Sequence, residues 1–264
     1  AAKAGGRRLS PWVAIAADGT VTITAHKGDL GQGIRTTLAM IIAEELDADW
    51  DAVRVIQAPA DAAYGNQGVA GSGSTMGTFN NATGGLRPVG AAARQMLVEA
   101  AAARWGIAPS RCRTERSTVV ADDGRSLGYG ELAGDAAGRT PPAPGAVRLK
   151  AASEYRIVGQ PKTRVDNPDV VTGRAQFALD VARPGTHYAV VRKSPFVGGR
   201  VRRVDDAAAR AVPGVIDVVT VGNGVAVVGE HTWAALRGRD ALVVEWDDRG
   251  NAGLDSDQIL AAKA

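Results

Sequence analysis

Two glycine-rich stretches carry the residues best suited to chemistry, and each stands just before a helix signal. The first is Gly28-Asp29-Leu30-Gly31-Gln32-Gly33-Ile34-Arg35-Thr36-Thr37. Glycines on both sides of Gln32 let the backbone approach a ligand without a Cβ clash. The unbonded N–H groups of the following helix, with the Thr36 and Thr37 hydroxyls, favour an anion. Gln32 donates through its NH₂ and accepts through its carbonyl, so it can read a neutral polar group. The second stretch, Gly68-Val69-Ala70-Gly71-Ser72-Gly73-Ser74-Thr75, again offers small residues and hydroxyls ahead of a helix. Neither is a P-loop, because no Gly-Lys-Ser/Thr follows, and neither has the spacing of a dinucleotide fingerprint. A tight connection explains either one alone; a ligand with several separated anionic groups would use both.

The other reactive residue types form no catalytic group. His26, His187 and His231 stand apart, without Asp, Glu or Cys at metal-ligand spacing, so structural roles are expected and no direct metal ligand is assigned. Ser194 lacks a Gly-x-Ser-x-Gly elbow. Glu44 and Glu45 are neighbours on a helix and point to different azimuths, which rules them out as a paired acid and base. Cys112 is the sole cysteine; it can build neither a disulfide nor an iron–sulfur site alone and reads as a small, buried or half-buried residue.

Elements that must hold these loops are readable around them. Val13 to Ala16, Asp18-Gly19 and Val21 to Thr24 predict a β-hairpin. After Gly33, the recurrence of Ile34, Leu38, Ile41, Ile42 and Leu46 predicts a helix with Glu44, Glu45, Asp47 and Asp49 on its polar face. Val53 to Ile56 reads as a strand, and a long alanine-rich helix is expected from near Met76 to Trp105, with Arg87-Pro88 as a kink or a separate start. Short strands near Thr118 to Val120 and a helix from Tyr129 to Ala136 follow, then a linker at Arg139 to Gly145. Beyond it, strands are expected at Tyr188 to Arg192, Val201 to Val204, Val215 to Val221, Val225 to Val228 and Leu242 to Trp246. Helices are expected at Asp205 to Val212 and Thr232 to Arg237, and one starts at Asp255. The fold class is therefore α+β, in regions 1–150 and 151–250 with a terminal helix over 251–264.

Bulk properties narrow the function. The 264 residues suffice for two domains, and 45% hydrophobic with 22% charged residues fits a packed core. No stretch approaches the roughly 20 apolar residues of a membrane span. A net charge of +3 and a short basic run at Arg192 to Arg203, closed by Asp205 and Asp206, argue against nucleic-acid binding. The opening residues Ala1 to Arg8 carry no apolar segment, so no signal peptide is read and export is left open.

With the residues laid out, a family resemblance is evident. Gly31-Gln32-Gly33-Ile34-Arg35-Thr36-Thr37, continuing through Ala43-Glu44-Glu45-Leu46-Asp47-Ala48-Asp49-Trp50, resembles the molybdopterin-binding subunits of the xanthine dehydrogenase family. The branch it is most similar to is that of the isoquinoline 1-oxidoreductase beta subunits, which includes periplasmic aldehyde dehydrogenases. Gly71-Ser72-Gly73-Ser74-Thr75 resembles the family's second pterin-contacting segment. Val170 to Phe177, Arg192 to Val201, Ala211 to Val215, Gly224 to Val228 and Trp233 to Ala235 resemble its α/β hammerhead domain, here placed after the Gly-Gln-Gly segment as in that branch.

The resemblance implies a molybdenum hydroxylase subunit that oxidises an aldehyde or N-heteroaromatic substrate with water-derived oxygen. It implies molybdenum on a pterin dinucleotide, the cytosine form, and electrons leaving through a separate 2Fe–2S subunit, with a cytochrome c among the candidate acceptors. Gly31, Gln32, Gly33, Thr36, Ser72, Gly73, Ser74 and Thr75 would contact the cofactor, Gln32 most directly. The family's glutamate base has no counterpart here, so no catalytic residue is assigned to this chain. A companion large chain is expected to supply it, which suggests a split gene or a nicked precursor. The branch leans periplasmic, with a cytoplasmic location the alternative. A non-catalytic scaffold and a molybdenum-independent nucleotide-binding enzyme are the rival readings.

Overall fold

A computed structural model describes residues 6–69 and 85–263, and the chain divides after Ala175 into two compact units. The first unit opens with strands β1 (Arg7–Arg8), β2 (Val13–Ile15) and β3 (Val21–Ala25), the last two paired antiparallel across the expected Asp18-Gly19 turn. Gly19 takes φ 89°, and the Thr20 N–H donates to Asp18 Oδ1. Helix α1 (Ile34–Leu46) then carries the chain back so that strand β4 (Val53–Gln57) pairs parallel with β3. Parallel neighbours need such a crossover. Every residue of β3 is buried, as befits a strand covered on both faces.

Helix α1 buries Ile34, Leu38, Ile41, Ile42 and Leu46 and packs on α2 (Leu86–Trp105). The two backbones come close at Gly90, where an added Cβ would stand 2.4 Å from the Ile42 carbonyl oxygen. Pro88 lies in the first turn of α2, so Arg87-Pro88 marks a helix start, where a missing N–H loses no intrahelical bond. The expected part of this helix before residue 85 lies outside the described residues.

A meander of β5 (Cys112–Glu115), β6 (Thr118–Ala121) and β7 (Ser126–Gly128) leads to α3 (Tyr129–Ala137), and a short α4 (Asn167–Val171) lies near the end of the unit. The composition-based linker at 139–145 does not separate the units. Lys150, Arg156, Ile157, Val158 and Val165 are hydrogen-bonded to α1, which keeps this segment with the first unit and puts the division at 175/176.

In the second unit, β8 (Tyr188–Lys193), β10 (Val215–Val221) and β11 (Gly224–Gly229) form an antiparallel sheet in the order β10-β11-β8. A two-stranded pair joins β9 (Arg200–Asp205) to β12 (Val243–Asp247). Helices α5 (Ala207–Arg210), α6 (Thr232–Ala241) and α7 (Ser256–Lys263) complete it, around a small core of Ala209, Val225, Val227 and Leu242. The expected helix over 205–212 shrinks to its middle because Pro213-Gly214 ends it. With mostly antiparallel sheets and separate helices, the fold is α+β.

Candidate functional site

The Gly28–Gly33 loop leaves the sheet at Ala25 and enters α1 through Gly33. Gly31 at φ 107° and Gly33 at φ 77° occupy backbone conformations that L side chains rarely adopt, and space around Gly31 is open. The loop is exposed, Leu30 by 79%. No side chain of Gly33, the N-terminal flanking residue, caps α1; Asp29 does part of that work instead. Its Oδ2 accepts from the Arg35 N–H at 3.4 Å and its Oδ1 from the Gly31 N–H at 2.8 Å. Gln32 is exposed but turned onto its own loop, accepting from the Leu30 N–H and donating to the Gly28 carbonyl at 3.1 Å. Thr36 is buried, and its Oγ1 accepts from the Val165 N–H at 3.0 Å. Of the expected contact residues, Gly31, Gln32 and Gly33 thus share one exposed loop, while Thr36 is engaged inside. Ser72, Gly73, Ser74 and Thr75 lie outside the described residues.

The base of the loop is tied to the start of the second glycine stretch. Buried Lys27 donates through Nζ to the carbonyls of Asn66 at 2.6 Å and Gly68 at 2.9 Å. Gln67 Nε2 reaches the carbonyls of His26 and Pro59, and Gln57 Nε2 those of Ala25 and Lys27. Burial pushes the Lys27 ammonium below its ordinary value. His26, buried with an unpartnered Nδ1, is drawn down to about 4 by burial and then by the neighbouring Lys27 charge, so it is neutral at pH 7. It packs edge-on against Trp12. His231 has the structural place expected, accepting the Ala234 N–H at the start of α6. Half-buried Cys112 is held protonated, chiefly by burial.

Sequence reasoning missed what Glu44 and Glu45 do. The helical pattern puts them on a polar face; both are buried, at 2% and 1% exposure. Glu44 Oε2 accepts the N–H groups of Arg156, Ile157 and Val158 at 2.9, 2.6 and 2.9 Å, and Oε1 accepts Lys150 Nζ at 3.0 Å. Burial alone would raise its pKa; the Ile157, Val158 and Lys150 hydrogen bonds outweigh burial and hold it below the ordinary value. Glu45 accepts Arg87 Nε at 2.7 Å and the Lys150 N–H at 3.0 Å. Lys150 Nζ also donates to Asp47 Oδ1 at 2.6 Å. These carboxylates anchor a segment more than a hundred positions away, a pairing that local periodicity cannot register.

That segment returns to the loop. Arg164 donates from Nη1 to the Gly31 carbonyl at 3.0 Å and from Nη2 to Asp29 Oδ1 at 3.4 Å, while Asp166 holds it from below at 2.9 and 3.1 Å. A separate cleft of about 720 Å³ opens at the other end of α1, with Arg94, Arg113, Arg148 and Arg156 among its lining residues. Among the described residues, no cluster of three or more His, Cys, Asp or Glu could hold a metal, and no helix is long and apolar enough to cross a membrane. Among the described residues, the site can therefore offer backbone groups, the Gln32 carboxamide and a braced helix start to a ligand, without a complete acid–base or nucleophilic group.

Comparison with known proteins fits this chemistry. The molybdopterin cofactor-binding domain family matches residues 3–194. The beta chain of isoquinoline 1-oxidoreductase from Brevundimonas diminuta is 39% identical over 289 residues, covering 94% of this chain and 36% of that one. A nicotinate dehydrogenase subunit of Pseudomonas putida is 35% identical over 91% of this chain and 20% of its own. A membrane-bound aldehyde dehydrogenase (pyrroloquinoline-quinone) of Gluconacetobacter polyoxogenes is 33% identical over 89% and 31%. The chain thus spans about a third or less of each relative.

Proposed function

The chain belongs to the molybdopterin cofactor-binding domain family, and we propose that it forms one wall of the cofactor site in a molybdenum hydroxylase. The observation that carries this reading is the exposed Gly31-Gln32-Gly33 loop, with two left-handed glycines at the start of α1, inside the matched region. The loop fits such a group: its glycines leave room for close backbone approach, and the helix start favours the phosphates of a dinucleotide. When bound, the molybdenum pterin supplies two-electron oxidation of a carbon centre with oxygen from water.

This chain's residues bind and orient. Gly31 and Gly33 present peptide groups, and Gln32 releases its bonds to Leu30 and Gly28 to present its carboxamide outward. Ser72, Gly73, Ser74 and Thr75 supply a second set of contacts. No base is assigned among these residues; the remainder of the hydroxylase brings it, and a 2Fe–2S subunit and an acceptor such as a cytochrome c take the electrons. The cytosine dinucleotide form, a hammerhead-like role for the second region and a periplasmic setting belong to the same proposal. An aldehyde or an N-heteroaromatic is the substrate class, in keeping with the names of the relatives.

Substituting Gln32→Ala in the assembled protein tests it. Molybdenum retention should fall about tenfold, in the range seen when supporting groups around a metal are removed. Full molybdenum content with full turnover would instead mark the chain as a scaffold.

A further inference from the structure

We infer that Arg164 is a positioning residue for the Gly31-Gln32-Gly33 loop, delivered there by a strap of residues 148–166 that is clamped to the far end of α1. The inference rests on reading this loop as a cofactor wall. The strap is bonded to α1 at both ends. At the C-terminal end Glu44 and Glu45 take the N–H groups of Lys150, Arg156, Ile157 and Val158. At the N-terminal end Thr36 takes the N–H of Val165. Thr36 and Glu44 stand eight residues apart on α1, so the strap's bonds span about 12 Å of the helix. Its length fixes where Arg164 arrives.

Arg164 does two things at the loop. With Asp29 it holds both adjoining peptide groups of Gly31, the carbonyl through Nη1 and the N–H through Asp29 Oδ1. A glycine-rich loop loses much conformational freedom on ordering, and these bonds offset that loss before any ligand arrives. Arg164 also faces the Asp29 carboxylate, which is only 10% exposed and stands beside a helix start suited to phosphate. Without the guanidinium, that carboxylate would repel the anion the helix start attracts.

Two readouts separate shape from charge. Hydrogen–deuterium exchange is measured on the full chain purified from molybdate-starved cells, as wild type, Arg164→Ala, Arg164→Lys and Arg164→Gln. Loss of charge-assisted bonds should speed exchange over residues 28–35 by about tenfold in Arg164→Ala, while residues 38–45 exchange as in wild type. Molybdenum and released pterin per chain, from replete cells, should fall in Arg164→Ala and Arg164→Gln and recover in Arg164→Lys, which restores the charge. Unchanged exchange over 28–35 overturns the brace. Loosened exchange with undiminished pterin overturns its role in positioning. A wild-type complex that carries no pterin removes the cofactor reading, and the exchange arm still decides the brace.

Discussion

Glu44 and His26 are both buried ionisable groups, and they respond to acid in different pH windows. Glu44 holds three backbone N–H groups and an ammonium in the interior. Glu44→Ala would leave them unsatisfied and should destabilise the first unit by about 3–5 kcal/mol, read from the denaturant midpoint. Because its folded pKa lies below the ordinary 4.5, the stability it contributes is complete above that value and is lost as pH falls further, through the folded pKa. The variant should lack this acid limb. His26 acts higher. Its folded pKa of about 4 lies below its ordinary 6.5, so the unfolded chain binds more protons between those values. Stability should rise from pH 4 to 6.5 and level off above, and His26→Phe should flatten that slope. An unaltered slope in the variant would assign the titration to another group.

At the scale of elements, the helical spacing of apolar residues and the short apolar runs bounded by turn residues placed α1, the hairpin and most strands to within a residue or two, because local spacing records both kinds of burial. Features set by distant partners were hidden. Arg116-Ser117 makes a two-residue turn with both φ positive, a place where Asn-Gly is the readable signal, and it is secured by Ser117 bonding Asp47 and Asp49. Glutamates at 44 and 45 look solvent-facing until Lys150 and the strap are in place. Close packing of α1 on α2 at Gly90 was equally invisible. It gives a clean contrast. Gly134→Ala on the open side of α3, where an added Cβ meets nothing, should stabilise by about 0.5–1 kcal/mol. Gly90→Ala should destabilise by about 1–3 kcal/mol despite the same gain in helix propensity, because its Cβ would strike the Ile42 carbonyl and Glu45. Paired thermal melts check both.

Over the whole molecule, the sequence pointed to the glycine loop and its family, while the structure adds how the loop is held. Lys27 ties it to Gly68, Asp29 and Arg164 fix Gly31, and the strap reaches it from the buried carboxylates. The chain reaches only 20–36% of the length of its three named relatives, in keeping with a wall completed by other segments. We propose that this wall holds a molybdenum pterin dinucleotide. Molybdenum and acid-released CMP, quantified together in the purified active complex, test it most directly. Equimolar molybdenum and CMP are expected; active material containing neither would rule out the cofactor wall.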